Sequence, residues 1–233
     1  MRRISAVAVL TLTILGLPAL AWAQEEPVRA VGGGGISAPG WQGAVDARDA
    51  ARGHAIKDTK LAKEGDALHV ITGPAAIYWN PANTAQGDYT VKATFTEPKY
   101  MNLNDHPHPY GIFIGGTDLG TDHQSLLYCE AYGNGTFIVR GFGPEPFRMN
   151  GREGESNAAV GRAAAPGQPV TQEIALSVQG DKVACRINGT VVATYARADV
   201  VAPAKLKSTD GVYGIRFAHN TEGLVTGLTV TRP

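Results

Sequence analysis

The chain has 233 residues, of which 43% are hydrophobic and 18% are charged, and it contains 29 glycines but only 2 cysteines. This length suits one large β domain or two small domains. Lys plus Arg and Asp plus Glu both number 21, so no net positive field attracts the chain to nucleic acid. Two cysteines exclude a disulfide-stapled miniprotein and a four-thiolate zinc site. The composition indicates a neutral, glycine-rich globular protein.

The first 23 residues have the three-part pattern of a secretory signal peptide. Arg2 and Arg3 precede an apolar run over residues 4–20, and Ala21-Trp22-Ala23 provides small residues for cleavage before Gln24. An uncleaved membrane anchor is the alternative, but the run is slightly shorter than the roughly 18–20 residues that a span needs. We therefore predict export to the periplasm or the medium, with no membrane insertion after cleavage. The mature chain keeps 19 basic and 21 acidic side chains, a net charge of −2.

The mature chain has no second linker and no internal repeat. Residues 24–39 contain four consecutive glycines, Gly32 to Gly35, and two prolines, which predicts a flexible lead-in. Residues 40–233 are then long enough for one sandwich with a sizeable core. The predicted organisation is a signal peptide over 1–23, a lead-in over 24–39 and a single domain over 40–233.

Strand patterns dominate the predicted domain. Residues 88–97 alternate between apolar and polar side chains, which predicts a strand with one wet face. Asn-Gly dipeptides at 134–135 and 188–189 predict hairpin turns. Only residues 46–63 have a composition that tolerates a helix. The other predicted elements are a turn at 179–181 and a closing pair of strands at 211–218 and 224–230. Many short antiparallel strands with glycine-rich turns indicate an all-β sandwich of the jelly-roll type.

The densest polar cluster lies between residues 102 and 123. His106 and His108 each precede a proline, so both are driven toward extended backbone. Together with Asp122 and His123, these side chains are the ingredients of a metal site, although no established ligand spacing is matched. A proline-rigidified loop that contacts substrate or bonds locally is the alternative, and we favour it. The expected cofactor is accordingly none, with a metal ion at the four residues as the minor alternative.

The predicted strand over residues 126–132 offers the second candidate. Alternation places Leu127, Cys129 and Ala131 on one face and Tyr128, Glu130 and Tyr132 on the other. Two aromatic rings that flank a carboxylate are suited to sugars, because rings stack on the apolar side of pyranoses and acids accept hydroxyl hydrogens. Ordinary cross-strand tyrosine packing explains the pattern equally well. Tyr110 and Arg140 complete the predicted ligand-binding set.

Cys129 and Cys185 both fall on the predicted core faces of their strands. An oxidising compartment permits a disulfide between them, and two buried thiols fit the pattern as well. His219, at the start of a turn, is interpreted as a local hydrogen-bonding residue. Glycosidases need two carboxylates about 5–10 Å apart, whereas Glu130 is alone on its strand. The sequence also has no Glu-x-Asp-x-x-Glu signature and no Gly-x-Ser-x-Gly elbow.

Four stretches carry a resemblance to a known group of proteins. They are residues 73–79 (GPAAIYW), 106–116 (HPHPYGIFIGG), 183–189 and 210–216. The sequence resembles exported bacterial concanavalin A-like jelly rolls over residues 41–230, and the nearest named group is the 3-keto-disaccharide hydrolase domain. The resemblance implies this fold and a carbohydrate partner. The paired acids that would transfer a hydrolytic centre are absent.

The sequence is compatible with three functions. The leading one is an exported carbohydrate-binding jelly roll that recognises a glycan on its concave face. The alternative is a glycosidase-like hydrolase acting on 3-keto-disaccharides or related sugars, with Glu130 and a histidine (His106, His108 or His123) as acid and base candidates. The second alternative is a structural or protein-interaction sandwich with no small ligand. None of the three involves nucleic acid.

Overall fold

Residues 27–233 are described by this computed structural model, and they form two sheets that pack face to face as a β-sandwich. The predicted signal peptide and its cleavage site lie outside the described residues. No helix within residues 27–233 is long and apolar enough to cross a membrane. The all-β jelly-roll prediction is confirmed.

Sixteen strands and a few helical turns make up the described chain. In order along the chain, the strands are β1 (Gly35–Ile36), β2 (Gln42–Val45), β3 (Thr59–Glu64), β4 (Ala67–Thr72), β5 (Ala76–Ala85), β6 (Tyr89–Glu97), β7 (Tyr110–Thr117), β8 (Ser125–Ala131), β9 (Thr136–Phe142), β10 (Phe147–Arg148), β11 (Glu155–Ser156), β12 (Val170–Gln179), β13 (Lys182–Ile187), β14 (Thr190–Ala196), β15 (Gly211–Phe217) and β16 (Glu222–Thr231). The helical elements are α1 (Ala47–Ala50), a 3-10 turn (Ile56–Asp58) and α2 (Arg197–Val200).

Each sheet contains eight strands. The first sheet has the order β1-β3-β4-β16-β6-β12-β13-β14. The second has the order β10-β9-β8-β7-β15-β5-β2, with β11 paired to β9. All pairings within them are antiparallel except the short pairing of β1 with β3. This β1 pairing joins Gly35–Ile36, from the segment that the sequence predicts as a lead-in, to the first sheet.

The inter-sheet core follows directly from the period-two pattern of the strands. Along β6, Tyr89, Val91, Ala93 and Phe95 are buried, while the alternate side chains are partly exposed. The predicted strand over 88–97 is therefore confirmed. Phe95 stacks on Tyr110 of the facing sheet, with ring centroids 5.6 Å apart, and Tyr110 in turn lies against Phe217. Paired aromatic rings of this kind stabilise a core beyond the area that they bury.

The two predicted Asn-Gly turns differ in their geometry. Asn188 and Gly189 both have positive φ, 49° and 79°, as a two-residue type I′ turn requires. At the other hairpin only Gly135 has positive φ, and the Tyr132 N–H donates to the Thr136 carbonyl across a longer loop. Both hairpins form, but the one at Asn134-Gly135 turns through a three-residue loop over residues 133–135.

The last two strands do not pair with each other. β15 lies between β7 and β5 in the second sheet, whereas β16 lies between β4 and β6 in the first. The predicted closing pair is therefore a crossover between sheets. Asn220, at φ 50°, turns the chain there, and its side chain binds the Arg29 N–H and the Pro27 carbonyl. The helix-tolerant segment 46–63 forms α1, the 3-10 turn and most of β3.

A disulfide connects the two sheets through the core. Cys129 of β8 is bonded to Cys185 of β13, and their Cα atoms are 6.2 Å apart. Both side chains are fully buried on the core faces that the sequence indicates. Because the two residues are 56 positions apart in the chain, the bond removes much of the freedom of the unfolded state.

Replacement of both cysteines by alanine is expected to lower the free energy of unfolding by about 4 kcal/mol, the value that chain entropy gives for a loop of this length. Urea denaturation followed by tryptophan fluorescence measures the change. Dithiothreitol should destabilise the wild type and leave the double variant unchanged. A loss below about 1 kcal/mol would contradict a stabilising cross-link between the sheets.

Candidate functional site

The second sheet has an outer face, turned away from the core, that carries a second apolar cluster. It consists of Ile77, Trp79, Phe113, Leu126, Tyr128 and Ile138. These side chains alternate along their strands with those of the inter-sheet core. The alternation explains why Tyr128 belongs to the outer cluster while its neighbours Leu127 and Cys129 belong to the core.

A cavity of about 620 Å³ opens on this outer face. The segment that contains α1 forms one wall, the loop before β7 forms a second, and β8, β9 and β15 form the floor. This volume is in the range of small-molecule sites. Its polar lining residues are Asp46, Arg48, Asp49, Arg52, His106, His108, Tyr128, Glu130, Tyr132, Arg140, Arg216 and His219.

Arg216 is the central charged group of the floor. Its guanidinium forms two hydrogen bonds with the Asp46 carboxylate, from Nη1 to Oδ1 at 2.6 Å and from Nη2 to Oδ2 at 2.7 Å. Only 8% of the Arg216 side chain is exposed, against 20% of that of Asp46. Burial has the largest single effect and lowers the pKa of Arg216, but the charge and hydrogen bonds of Asp46, together with Tyr128 and Glu130, outweigh it and the pKa lies well above its usual value. A buried ion pair requires this kind of bidentate geometry.

Glu130 lies beside Arg216 on the same row of the sheet. The β8–β7 and β7–β15 pairings align Glu130 with Gly111 and Gly111 with Arg216. Gly111 has no side chain to separate them, and Arg216 Nε is 3.4 Å from Glu130 Oε1. Neither atom has a hydrogen-bond partner among the described residues. The cavity floor therefore contains a polar pair whose hydrogen-bonding capacity is not used.

Burial raises the pKa of Glu130 to about 8, and the nearby Arg216 only partly offsets this effect. Two tendencies compete at this carboxyl, since the close guanidinium favours the charged form while loss of water favours the neutral form. Burial prevails because only 2% of the side chain is exposed and because Arg216 already neutralises Asp46. Glu130 is accordingly protonated at neutral pH and can donate a hydrogen bond.

Aromatic rings enclose Arg216 on the outer face. The guanidinium carbon lies 4.8 Å from the centre of the Tyr128 ring and 5.2 Å from that of Phe142. Such cation–π contacts stabilise a guanidinium that has left water. The Arg216 guanidinium thus covers a face of the Tyr128 ring. Tyr132, two residues further along, is partly exposed on the cavity wall and is the ring of this strand face that a ligand can reach.

Three histidines meet at the edge of the cavity. The ring centres of His108 and His219 are 4.0 Å apart, and those of His106 and His108 are 4.4 Å apart. His108 Nδ1 is 2.6 Å from the His219 carbonyl, which can only accept, so this nitrogen carries the proton. His108 Nε2 then accepts from His106 Nε2 at 2.8 Å. Burial, followed by the charge of His219, lowers the pKa of His108 to about 3, so its ring is neutral.

The structure brings together most of the residues that the sequence indicates. Tyr128, Glu130, Tyr132 and Arg140 line one cavity with His106 and His108. The side chains of residues 126–132 therefore lie on the two faces that the alternation predicts. His219 lines the same cavity, and its carbonyl orients the His108 ring.

Three predicted residues lie elsewhere. Tyr110 is 1% exposed in the inter-sheet core, because it alternates in phase with Ile112 and Ile114, and its hydroxyl accepts a hydrogen bond from Gln172. Asp122 and His123 lie exposed in the loop after β7, whereas His106 and His108 precede β7. An eight-residue strand, about 25 Å long, separates the two pairs.

The four-residue metal set therefore does not converge. Within residues 27–233, no group of three or more His, Cys, Asp or Glu side chains is arranged to hold a metal ion. Among the three clustered histidines, both nitrogens of His108 are engaged in hydrogen bonds. The histidines instead form a hydrogen-bonded chain that ends at the Asp105 carboxylate, 2.6 Å from His106 Nδ1.

The most important residues that sequence reasoning missed are Arg216 and Asp46. Arg216 alternates with Tyr213, Ile215 and Phe217 along β15, so the period-two pattern could have placed it on the outer face. Asp46 precedes a short helix, and no local signal connects it to a residue 170 positions away.

Comparisons with known proteins identify the fold. No family model and no curated protein matches the chain. Among solved structures, the endo-beta-1,3-glucanase of Pyrococcus furiosus superposes with a TM-score of 0.54 at 11% identity, over 86% of this chain and 91% of that chain. A Bacillus subtilis protein of unknown function with a galectin-like fold gives 0.51 at 12% identity, over 82% and 89%.

At these identities the comparisons establish the fold alone. The chain is a galectin-like, concanavalin A-like jelly roll, as the sequence resemblance implies. Membership of the 3-keto-disaccharide hydrolase domain stays a prediction, since no family model matches.

Glu130→Gln is expected to change how stability depends on pH. Because the folded pKa of about 8 exceeds the unfolded value of 4.5, the folded protein holds a proton that the unfolded chain releases. The stability that this proton provides is complete below about pH 4.5 and is lost as pH rises toward 8. The free energy of unfolding of the variant, relative to that of the wild type, should therefore rise across this pH range by on the order of a few kcal/mol in total.

Urea denaturation at several pH values between 5 and 8.5 measures this difference. Glu97, whose pKa burial raises to about 7, contributes equally to both proteins and cancels in the comparison. Glu145→Gln, which changes an exposed glutamate, is the matched control and should follow the wild type. A difference between wild type and Glu130→Gln that stays constant over this range would contradict a protonated Glu130.

Proposed function

We propose that this chain is an exported carbohydrate-binding protein whose glycan site is the cavity on the outer face of the second sheet. The observation that carries the proposal is the combination of Tyr132, a reachable ring, with a neutral carboxyl at Glu130 and a guanidinium at Arg140 in one cavity. Sugars present an apolar ring face and many hydroxyls, so a ring beside mixed donors and acceptors complements them.

The comparisons support the same class of ligand. The Pyrococcus furiosus protein that shares the fold is named as an endo-beta-1,3-glucanase, and the Bacillus subtilis protein is described by its galectin-like fold. The cavity of this chain lies on a sheet face and is lined by residues of β8, β9 and β15, so an elongated glycan can lie across the strands. Export follows from the signal-peptide pattern of residues 1–23, which would bring the mature chain into contact with extracellular polysaccharides.

Tyr132→Ala is expected to weaken glycan binding by about tenfold to a hundredfold, because it removes the ring that stacks on the sugar. A screen against plant and bacterial oligosaccharides identifies the ligand, and isothermal titration calorimetry gives the affinity of the wild type and the variant. Tyr195→Ala removes a partly buried tyrosine from β14 of the other sheet and is the matched control. Equal affinity of wild type and Tyr132→Ala would exclude this ring from the site.

Hydrolysis is the second candidate function, and one observation favours it. Glu130 is a buried carboxyl with a raised pKa, the property of a general acid that protonates a leaving group. The structure also places a second carboxylate, Asp46, in the same cavity, which the sequence pattern does not reveal. His106 and His108 lie in the cavity as well, while His123 does not. The implied substrates are 3-keto-disaccharides or related glycosides.

For a hydrolase, Glu130→Gln should lower turnover of 3-keto-glucosides by about 10² to 10⁴, the usual contribution of a general acid. Activity of the wild type should fall as pH rises above about 8, where the acid loses its proton. Release of free sugar measures both effects. Turnover that Glu130→Gln leaves unchanged would remove this residue from the mechanism. The absence of both turnover and glycan binding would leave the structural or protein-interaction hypothesis.

A further inference from the structure

A second cavity of about 430 Å³ adjoins the first on the outer face. His106, Pro107, Tyr132 and Arg140 line both cavities. Because these residues form a shared border, the two cavities make one elongated cleft, which runs from α1 across β8 and β9 to Arg148 of β10. This cleft suits a chain of several sugar units better than a single unit.

The second cavity is more positive than the protein as a whole. Among the described residues that line it, arginines outnumber carboxyl groups by three to one, although acidic side chains outnumber basic ones in the predicted mature chain. The arginines are Arg140, Arg148 and Arg152, and the carboxyl group belongs to Glu153.

The carboxyl groups of the cleft do little to neutralise the arginines around the second cavity. Asp46 is paired with Arg216, and Asp49, whose Oδ2 accepts the Ala75 N–H at 3.1 Å, lines only the first cavity. Glu153 lies 3.5 Å from Arg152, but their side chains are 90% and 83% exposed, so water screens the pair. The positive character at this end of the cleft is therefore available to an anion.

Two arginines stand directly opposite each other at this end. The β10–β9 pairing places Arg148 against Arg140, so their side chains share the outer face. Neither forms an ion pair with a described carboxylate, and the buried Nε of Arg140 has no hydrogen-bond partner among the described residues. One Arg140 Nη2–H is oriented by the Arg152 carbonyl. Opposed like charges destabilise a strand pair, whereas an anion between them offsets the repulsion.

We propose that the cleft binds a glycan that carries carboxylates, a uronic-acid oligosaccharide, with Arg140 and Arg148 binding a uronate carboxylate. This inference rests on the proposed carbohydrate-binding function and specifies its ligand class. Tyr132 packs against a sugar ring at the border of the two cavities. Asn134 and Thr136, which line the second cavity, supply amide and hydroxyl groups for the sugar hydroxyls.

The test compares tetragalacturonate and tetramannuronate with their methyl esters, which keep the sugars and remove the charge. Calorimetry should show that the wild type binds at least one acid about tenfold more tightly than its ester, and that added salt reduces this preference. Arg148→Gln should weaken binding of the acid by about tenfold and leave binding of the ester unchanged. Arg186→Gln, on β13 of the other sheet, makes the same charge change away from the cleft and should behave as the wild type.

The outcomes separate this inference from the function on which it rests. Equal binding of acids and esters would overturn the assignment of a carboxylate ligand, and so would an equal effect of Arg148→Gln on both. Either result would leave the proposed glycan-binding function intact. Tighter binding of a sulfated tetrasaccharide than of either uronate would overturn the assignment of a carboxylate and indicate a sulfate as the anionic group. No binding of charged or neutral glycans would overturn the proposed function itself. Because Arg148 is exposed, its substitution should leave the melting temperature unchanged or slightly raised.

Discussion

The ion pair between Arg216 and Asp46 is the constraint around which the outer face of the second sheet is organised. A guanidinium on the floor of a sheet needs a carboxylate at hydrogen-bonding distance, since a buried charge without a partner costs about 3–5 kcal/mol. Asp46 meets this need from a segment that begins α1, and the pair therefore holds that segment over the strands. The ion pair thus ties this wall of the cavity to its floor.

The same pair determines the character of Glu130. Arg216 lowers the pKa of Glu130 only in part, because burial outweighs its charge and the Asp46 carboxylate opposes it, and Glu130 retains its proton near neutral pH. A protonated carboxyl donates as well as accepts, which suits the hydroxyl groups of a sugar. Arg216 also covers the ring of Tyr128, so the reachable aromatic surface shifts outward to Tyr132. One buried charge thus decides which groups of the strand face meet a ligand.

Local periodicity was sufficient to predict the fold and one face of the site. Alternation along β8 correctly separates Cys129 from Glu130, because in a strand the facing of a side chain depends only on its neighbours. Proximity in sequence was a poor guide elsewhere. Tyr110 follows the histidine-rich loop, yet its phase with Ile112 and Ile114 places it in the core. His123 is close to His108 in the chain but a whole strand away in space.

Contacts between distant segments could not be read from a single sequence. The pairing of Asp46 with Arg216 depends on how a loop crosses the sheet, and the apposition of Arg140 and Arg148 depends on the register of a two-residue strand. Such contacts carry no periodic signal of their own. The crossover between β15 and β16 is a similar case, since each strand has the expected pattern and only the choice of sheet differs.

The disulfide has a consequence for how ligands are received. Cys129 is the residue before Glu130, so the carboxyl on the cavity floor lies directly above a covalent link to the opposite sheet. Strand β8 cannot slide or tilt independently of β13, and the floor is thereby preorganised. Adaptation to a ligand must then occur in the α1 wall and in the loop before β7. A rigid floor reduces the entropy lost on association, which leaves more of the contact energy for affinity.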